Sequence, residues 1–272
     1  MESDILYRFT EDDMYRLRRY KGKLVRGKSA ADRATLAERI KRLDCDVLAV
    51  QEVEDIDTLK TLLHDDLPKR YKHYVLVEGN DPRLIDVALV SKLPIGAVVS
   101  WHQLPHPKQP SRPVFGRDLL QVEIRDRKRS RKLLTLFNAH LKSHFGDEDD
   151  GGEGKKRNDL KRRREAEVFR DVLRAQTRDG APHLIVGDMD DPPDSPCPAP
   201  FAVERGLVNG LADARETRPV KKDRPTRQVR SAPTASCATA EPSTAVRPDL
   251  AEPRLAGAMT GALIDRRAGL PD

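Results

Sequence analysis

The chain has 272 residues, 38% hydrophobic and 35% charged, which is enough for one large α/β domain or two small ones. Its 50 basic and 44 acidic residues give a net charge of +6, which permits an anionic partner such as nucleic acid without requiring one. No stretch approaches the roughly 18 apolar residues of a membrane span. The charged N-terminus has no signal-peptide core, and the three cysteines form no CxxC pair, so we expect a cytoplasmic monomer without a cysteine zinc site.

The first third of the chain alternates predicted helices and strands. Ser29 and Asp32 form a capping-box start, and the apolar spacing that follows predicts an amphipathic helix over 29–43. An apolar run then predicts a buried strand that delivers Glu52 at its far end. In chain order, the elements after the first helix are a strand over 46–52, a helix over 56–67 and a strand over 74–79.

The middle of the chain is richer in predicted strands. The remaining elements are two strands within 86–101, two strands over 119–126 and 131–141, a charged helix over 157–176 and a strand over 183–188. Mixed strands with interspersed helices indicate an α/β (α+β) sandwich. The Gly-rich segment 145–156 is expected to be a surface loop. The basic runs at 125–132 and 155–165 are interpreted as solvated turns or helix faces rather than binding sites.

Composition divides the chain into three parts. Residues 223–272 are dominated by Ala, Pro and Arg and contain no Phe, Tyr, Trp, His, Asn or Lys, so we expect a poorly ordered tail. No Asn occurs before Asn80, and residues 1–28 are interpreted as a divergent N-terminal segment. The folded domain is therefore predicted to span 29–222.

Polar clusters follow several of the predicted strands. They read QEVED (51–55), NDPRLIDVALVSKLP (80–94), FNAHLKS (137–143) and GDMDDPP (187–193). Loops beyond strand ends collect the catalytic groups in layered α/β folds. The side chains expected to converge there are Glu52, Asp86, Asn138, His140, Asp188 and Asp190.

These four motifs, in this order, resemble the endonuclease/exonuclease/phosphatase superfamily of metal-dependent phosphodiesterases. The resemblance covers roughly residues 30–215. It implies a four-layer sandwich of two mixed β-sheets flanked by helices, incomplete at both ends. It also implies hydrolysis of a phosphate ester, with DNA and RNA among the candidate substrates, by in-line attack on phosphorus.

The resemblance assigns a role to each matching residue. Glu52 matches the carboxylate that binds Mg²⁺ (or Mn²⁺), and an oxygen ligand suits either ion. Asp188 matches the Asp that orients or deprotonates the attacking water. His140 matches the histidine that contacts the phosphate or assists the leaving group, with Asn138 supporting it. A further pair, Arg83 and Asp86, falls in the segment that lines the phosphate side.

Simpler interpretations of the same residues remain open. Glu52 can be an exposed strand end, and His140 a core histidine bonded to backbone. The acids at 188–191 can belong to a solvated turn. A DxDxDG calcium loop is excluded because Pro192 and Ala199 occupy two of its ligand positions.

The chain departs from the family pattern at two further points. Asp190 stands where the family carries an Asn, and no histidine follows His183. An amide can donate a hydrogen bond to a phosphate oxygen, whereas an ionised carboxylate only accepts. Activity is therefore expected to be weakened or lost. The alternative is a non-catalytic protein that binds nucleic acid or a phosphorylated ligand through its basic clusters, with a steep dependence on salt.

Overall fold

A computed structural model describes most of the domain and short pieces of both ends. The described residues are 15–18, 23–26, 28–177, 182–192, 195–197, 199–202, 215–216, 236–238 and 263–264. The strands are Tyr15–Arg18 (β1), Lys23–Arg26 (β2), Val47–Val53 (β3), His73–Leu76 (β4), Asp86–Ser91 (β5), Ile95–Ser100 (β6), Pro105–His106 (β7), Gln109–Pro113 (β8), Leu119–Arg125 (β9), Lys132–His140 (β10), His183–Asp188 (β11), Arg215–Glu216 (β12), Ser236–Ala238 (β13) and Leu263–Ile264 (β14). The helices are Ala30–Leu43 (α1), Ile56–Thr61 (α2, extended by a π-turn over Leu62–Asp66), Glu153–Gln176 (α3, preceded by a 3₁₀ turn over Asp149–Gly152) and Ala199–Ala202 (α4).

Two four-stranded sheets form the centre of the molecule. One has the order β13-β3-β5-β4 and is antiparallel throughout. The other has the order β11-β10-β9-β6, with β10 and β11 parallel and the other neighbours antiparallel. The parallel pair brings the carboxyl ends of β10 and β11 to the same edge of their sheet.

The buried side chains define four layers. Alternate residues of β3, β5, β9 and β10 meet between the two sheets, as Leu89 and Leu136 do. The opposite face of β3 and β5 packs on α1 and α2, and the opposite face of β9 and β10 packs on α3. This arrangement confirms the predicted α/β sandwich of two sheets flanked by helices, although only the β11-β10-β9-β6 sheet is mixed.

The first helix is confirmed, and the longest helix begins earlier than the sequence predicted. Ser29 caps α1, because its Oγ accepts a hydrogen bond from the Asp32 amide at 3.2 Å. α3 starts at Glu153 rather than at 157, so the predicted loop over 145–156 is too long by its last four residues. Within the described residues, no helix is both long and apolar enough to cross a membrane.

Both ends of the chain contain short strands that the sequence did not predict. β1 and β2 form an antiparallel pair within the segment interpreted as divergent. In the tail, β13 pairs with β3, Cys237 lying opposite Leu48, and β14 pairs with β12. Alternation of polar and apolar residues is too weak in these segments to mark a strand. The rest of the tail lies outside the described residues, and the division at 28 and 222 stays a prediction.

Candidate functional site

The site begins where β10 and β11 end side by side. His140 lies opposite Asp188 in the parallel register, and the Leu141 amide donates to the Asp188 carbonyl at 2.9 Å. Gly187 is required at this pairing because its φ is +134° and a Cβ there would lie 1.8 Å from the Ala139 carbonyl oxygen. The tight approach of the two strands therefore places the His140 and Asp188 side chains next to each other.

His140, Asp188 and Asp190 form one compact cluster. The His140 Nε2 lies 3.1 Å from the Asp190 Oδ2, and both side chains are almost fully buried. The Asp190 amide donates to the Asp188 Oδ1 at 3.0 Å, and Asp190 adopts the left-handed conformation with φ +55°. Asn and Asp tolerate that conformation better than most residues. The turn therefore folds the second acid back onto the histidine.

Asn138 is fully buried, and its described hydrogen bonds go to the other sheet rather than to the cluster. Its Oδ1 accepts from the Gln51 Nε2 at 2.6 Å, and its Nδ2 donates to the Ala88 carbonyl at 2.9 Å. These bonds tie β10 to β3 and β5 at the level of the site. Gln51, which the sequence motif QE contained but which received no role, is thereby a structural partner of Asn138.

Glu52 lies at the end of β3 on a different sheet and is exposed. A register shift between Val50 and Val53 interrupts the pairing of β3 with β5, and Glu52 takes a φ of +55° there. Beyond the shift, Val53 lies opposite Asp86, whose buried Oδ1 accepts from the Gly79 amide at 2.7 Å. The bulge thus turns Glu52 out of the sheet, whereas Asp86 is used to hold the loop before β5.

Arg83 interacts electrostatically with candidate residues that follow strands of both sheets. Its guanidinium donates two hydrogen bonds to the Asp81 carboxylate, at 3.2 and 3.1 Å. The pKa of Arg83 is raised, chiefly by its hydrogen bond to Asp81 and further by the carboxylates of Glu52 and Asp190. Arg83 therefore feels the charge of both Glu52 and the buried cluster, which connects the two parts of the site.

Further polar groups near the site were not found by sequence reasoning. Asp81 is buried and also lies 2.9 Å from the Nε of Arg117, a buried arginine whose Nη1 donates to the Leu141 carbonyl at 2.6 Å. Burial, assisted by the neighbouring cations Arg117, Lys161 and Arg83, lowers the pKa of Lys142. Cations therefore lie beside the acidic cluster, and such cations can attract an anionic ligand.

On the rim of the site, Phe145 is the most exposed of the large hydrophobic residues described, with 78% of its surface accessible. The Arg83 guanidinium carbon lies 6.0 Å from the centre of its ring. The main chain at this position is fixed, since the Phe145 carbonyl accepts from Lys142 Nζ and from Asn158 Nδ2. The rim thus combines an aromatic face with a cation.

The cluster has the chemistry of a cation site. Among the described residues, His140, Asp188 and Asp190 form one group whose ligand atoms all lie within 4.8 Å of one another. The buried His140 Nδ1 and Asp190 Oδ2 make no hydrogen bond within the described chain. Two carboxylates supply the oxygen ligands that Mg²⁺ and Mn²⁺ prefer. These residues fit a divalent cation, whereas Glu52 lies outside this group.

A family comparison covers the same part of the chain. The model of the endonuclease/exonuclease/phosphatase family matches residues 25–196, a span that includes all seven candidate site residues. A search of curated proteins found no match.

Solved structures of similar fold share little sequence with the chain. A mannosyl-6-phosphatase from Bacteroides thetaiotaomicron is 14% identical over 69% of this chain and 67% of its own, with a TM-score of 0.48. The beta toxin from Staphylococcus aureus with bound magnesium ions is 16% identical over 62% of this chain and 61% of its own, with a TM-score of 0.44. ANGEL2, a 2′,3′-cyclic phosphatase, is 18% identical over 61% of this chain and 45% of its own, with a TM-score of 0.41. The chain thus spans about three fifths of the toxin's length.

Proposed function

Because the chain belongs to the endonuclease/exonuclease/phosphatase family, we propose that it is a metal-dependent hydrolase of phosphate esters. A phosphodiester, as in DNA or RNA, is the first substrate class to test. The observation that carries the proposal is the cluster of His140, Asp188 and Asp190 at the ends of the paired strands β10 and β11. A buried imidazole beside two carboxylates provides both proton transfer and charge for an attack on phosphorus.

In this proposal Glu52 holds Mg²⁺ or Mn²⁺. Its carboxylate is exposed at the end of β3, and its charge reaches Arg83 together with that of Asp190. The ion, when bound, neutralises negative charge that develops on the phosphoryl oxygens. His140 is a poorer first choice as ligand, because imidazole suits zinc and copper better than Mg²⁺ and its Nε2 already faces Asp190.

Asp188 and His140 then perform the proton transfers. Asp188 orients the attacking water or takes its proton, and the backbone amide of Asp190 fixes the position of one of its oxygens. His140 contacts the phosphate or assists the leaving group through Nε2 once the substrate reaches the pocket. Asn138 supports this arrangement from below, because it joins β10 to the neighbouring sheet.

Arg83 and Asp86 form the phosphate side of the proposed site. Arg83 stays charged at every physiological pH and keeps 42% of its side chain exposed, so it can reach a phosphate oxygen. Asp86 shapes the loop that carries Arg83 through its bond to the Gly79 amide. In this proposal Asp86 contributes to the phosphate side by positioning that loop.

Asp190 weakens the proposed activity. An ionised carboxylate at this position has no hydrogen to donate to a phosphate oxygen, and it repels the substrate's charge. Its Oδ2 lies 3.1 Å from the His140 Nε2, within hydrogen-bonding distance of the imidazole. We therefore expect slow turnover that depends strongly on the metal ion.

The test is hydrolysis of bis(p-nitrophenyl) phosphate by the full chain, with Mn²⁺, with Mg²⁺ and with a chelator. The proposal predicts product only when an ion is present, and loss of product in the His140→Gln variant. The matched control is His64→Gln, since His64 is exposed in the π-turn that follows α2. Binding of a nucleic acid that needs no metal and falls steeply with salt, without turnover, would instead favour the non-catalytic alternative.

A further inference from the structure

Arg162 is a fully buried arginine in the middle of α3, within the basic run that the sequence presented as solvated. Its hydrogen bonds reach two loops and one residue of the same helix. The Nε donates to the Asp191 Oδ2, the Nη1 to the Lys142 carbonyl and the Nη2 to the Asp159 Oδ1, each at 2.6 Å. Each of the three guanidinium nitrogens therefore donates to a different acceptor.

Two of the three partners of Arg162 belong to the loops that follow β10 and β11, the strands at whose ends the candidate cluster lies, and the third, Asp159, lies on α3 itself. Lys142 follows His140 by two residues in the loop after β10, and Asp191 directly follows Asp190 in the loop after β11. A single guanidinium thus spans both loops, immediately behind the pair in which His140 and Asp190 lie 3.1 Å apart. Movement of either loop would change that distance.

Two neighbouring polar residues of α3 hold the same loop. The Asn158 Nδ2 donates to the Phe145 carbonyl and to the Asp147 Oδ1. The fully buried Glu165 accepts from the Lys142 amide at 2.6 Å and from the Gly116 amide at 3.2 Å. Buried polar groups that are all satisfied favour one arrangement of the chain over its alternatives, because any displacement leaves one of them unpaired.

The shape of arginine matters at this position. Its planar guanidinium presents five donors in a fixed fork, whereas the lysine ammonium is a point charge on a flexible stem. A lysine at 162 retains the charge that balances Asp191 but loses the simultaneous bonds to Asp159 and to the Lys142 carbonyl. The two loops would then be free to shift relative to each other.

We propose that Arg162 is a positioning residue that sets the geometry of the His140–Asp190 pair by joining the two loops. The inference deepens the proposed hydrolase function and rests on it for its catalytic consequence. Its structural part, the control of the His140 environment, holds whether or not the protein turns over a phosphate ester.

The experiment compares Arg162→Lys with Arg163→Lys in the full chain. Arg163 is the adjacent residue, exposed, with a surface ion pair to Glu167, and so serves as the matched control. The first readout is the ¹⁵N NMR spectrum of the His140 imidazole, which Arg162 does not contact. The second is kcat and KM for bis(p-nitrophenyl) phosphate with Mn²⁺.

Arg162→Lys should shift the His140 imidazole resonances and lower kcat by about tenfold or more, with KM changed far less, because small misplacements of reacting groups cost rate. Arg163→Lys should change neither. If Arg162→Lys does not fold, Asp191→Asn, which keeps one acceptor oxygen for the Nε, should shift the same resonances.

Unchanged His140 resonances and kcat in folded Arg162→Lys, or in Asp191→Asn, would overturn the proposal. Equal shifts from Arg163→Lys would also overturn it. If the wild type shows no metal-dependent activity, the hydrolase function is refuted. If Arg162→Lys still shifts the His140 resonances and Arg163→Lys does not, the positioning role stands independently of that function.

Discussion

The two sheets contribute to the candidate site in different ways. At the β10–β11 edge, His140 and Asp190 are buried, packed against each other and held from behind by α3. At the β3–β5 edge, Glu52 is exposed at a bulge, and its described influence is the charge it exerts on Arg83. The His140–Asp190 side of the candidate site therefore consists of buried, packed groups, whereas the candidate residue from the other sheet, Glu52, is exposed to solvent.

Separating β10 from β11 tests whether the buried cluster depends on the close pairing of these strands. In Gly187→Ala, the new Cβ would lie 1.8 Å from the Ala139 carbonyl, at a φ of +134°. We expect a loss of about 4 kcal/mol or more in the free energy of unfolding, or no folded protein, because neither backbone can give way cheaply.

Gly151→Ala is the control for that change, measured by the same urea unfolding. Gly151 also has a positive φ, of +63°, but a Cβ there meets nothing within 4 Å. It should cost only about 1 kcal/mol. Equal costs for the two variants would show that the strands are not tightly paired at the site.

Burial at the start of β9 predicts a pH dependence of stability. Burial raises the pKa of Asp118 to about 6, so the folded protein holds this proton more tightly than the unfolded chain. The resulting stabilisation is fully present below the unfolded pKa and is lost as the pH rises through about 6. Relative to Asp118→Asn, wild type should lose on the order of 2–3 kcal/mol between about pH 4 and pH 7.

The comparison is measured as the difference in unfolding free energy between the two proteins across this pH range. Asp126→Asn is the control of opposite sign, because Ser130 hydrogen bonds lower the pKa of that exposed carboxyl. A flat difference for Asp118→Asn would mean that its carboxyl is solvated.

Glu52→Gln tests whether the exposed carboxylate at the end of β3 binds the metal ion. If Glu52 holds the ion, this variant should lose the rise in melting temperature that Mn²⁺ gives the wild type. Binding at a hundredfold excess over Kd raises the free energy of unfolding by about 2.7 kcal/mol. Glu54→Gln, two residues along the chain, should keep it, since a Glu54 oxygen faces the Thr58 hydroxyl of α2 instead. Equal effects of the two changes would remove Glu52 from the metal site.

Asp190→Asn tests the role of the buried acid beside His140 and has the smallest expected effect. The change restores an NH₂ donor and keeps a side chain that tolerates the φ of +55°. Turnover of a phosphodiester, or affinity for phosphate, should rise about tenfold, which is less than the usual effect of one oxyanion donor.

The control for this change is Asp188→Asn, which should lower both quantities. If Asp190→Asn changes neither turnover nor phosphate affinity, Asp190 acts as a turn residue and Asp188 serves alone.

Local sequence patterns predicted the sandwich, because its strands and helices depend on neighbours along the chain. The separation of Glu52 from the cluster of His140, Asp188 and Asp190 was not predicted, since it depends on how the two sheets pack. An apolar run indicated β3, apolar-rich segments indicated β9 and β10, and the polar residues after these strands indicated candidate site residues. The network around Arg162 was missed because a run of charges was interpreted as a solvated face. Helical spacing held the missing signal: Asn158, Arg162 and Glu165 continue the buried stripe of Phe169 and Val172.

Other contacts had no local signal at all. Asp81 and Arg117 are 36 positions apart in the chain, and only the close approach of two loops brings them within 2.9 Å. The pairing of β13 with β3 likewise joins the tail to the first predicted strand of the domain. Weak alternation in the tail gave no reason to expect a strand there.

The division of roles between the two halves is tested most directly by electron spin-echo spectroscopy of the full chain loaded with one Mn²⁺. This measurement detects a histidine nitrogen bound to the ion. We expect no such nitrogen coupling in the wild type. We also expect Glu52→Gln to lose tight Mn²⁺ binding. A nitrogen coupling that disappears in His140→Gln, with binding unaffected by Glu52→Gln, would place the ion in the buried cluster and contradict the account.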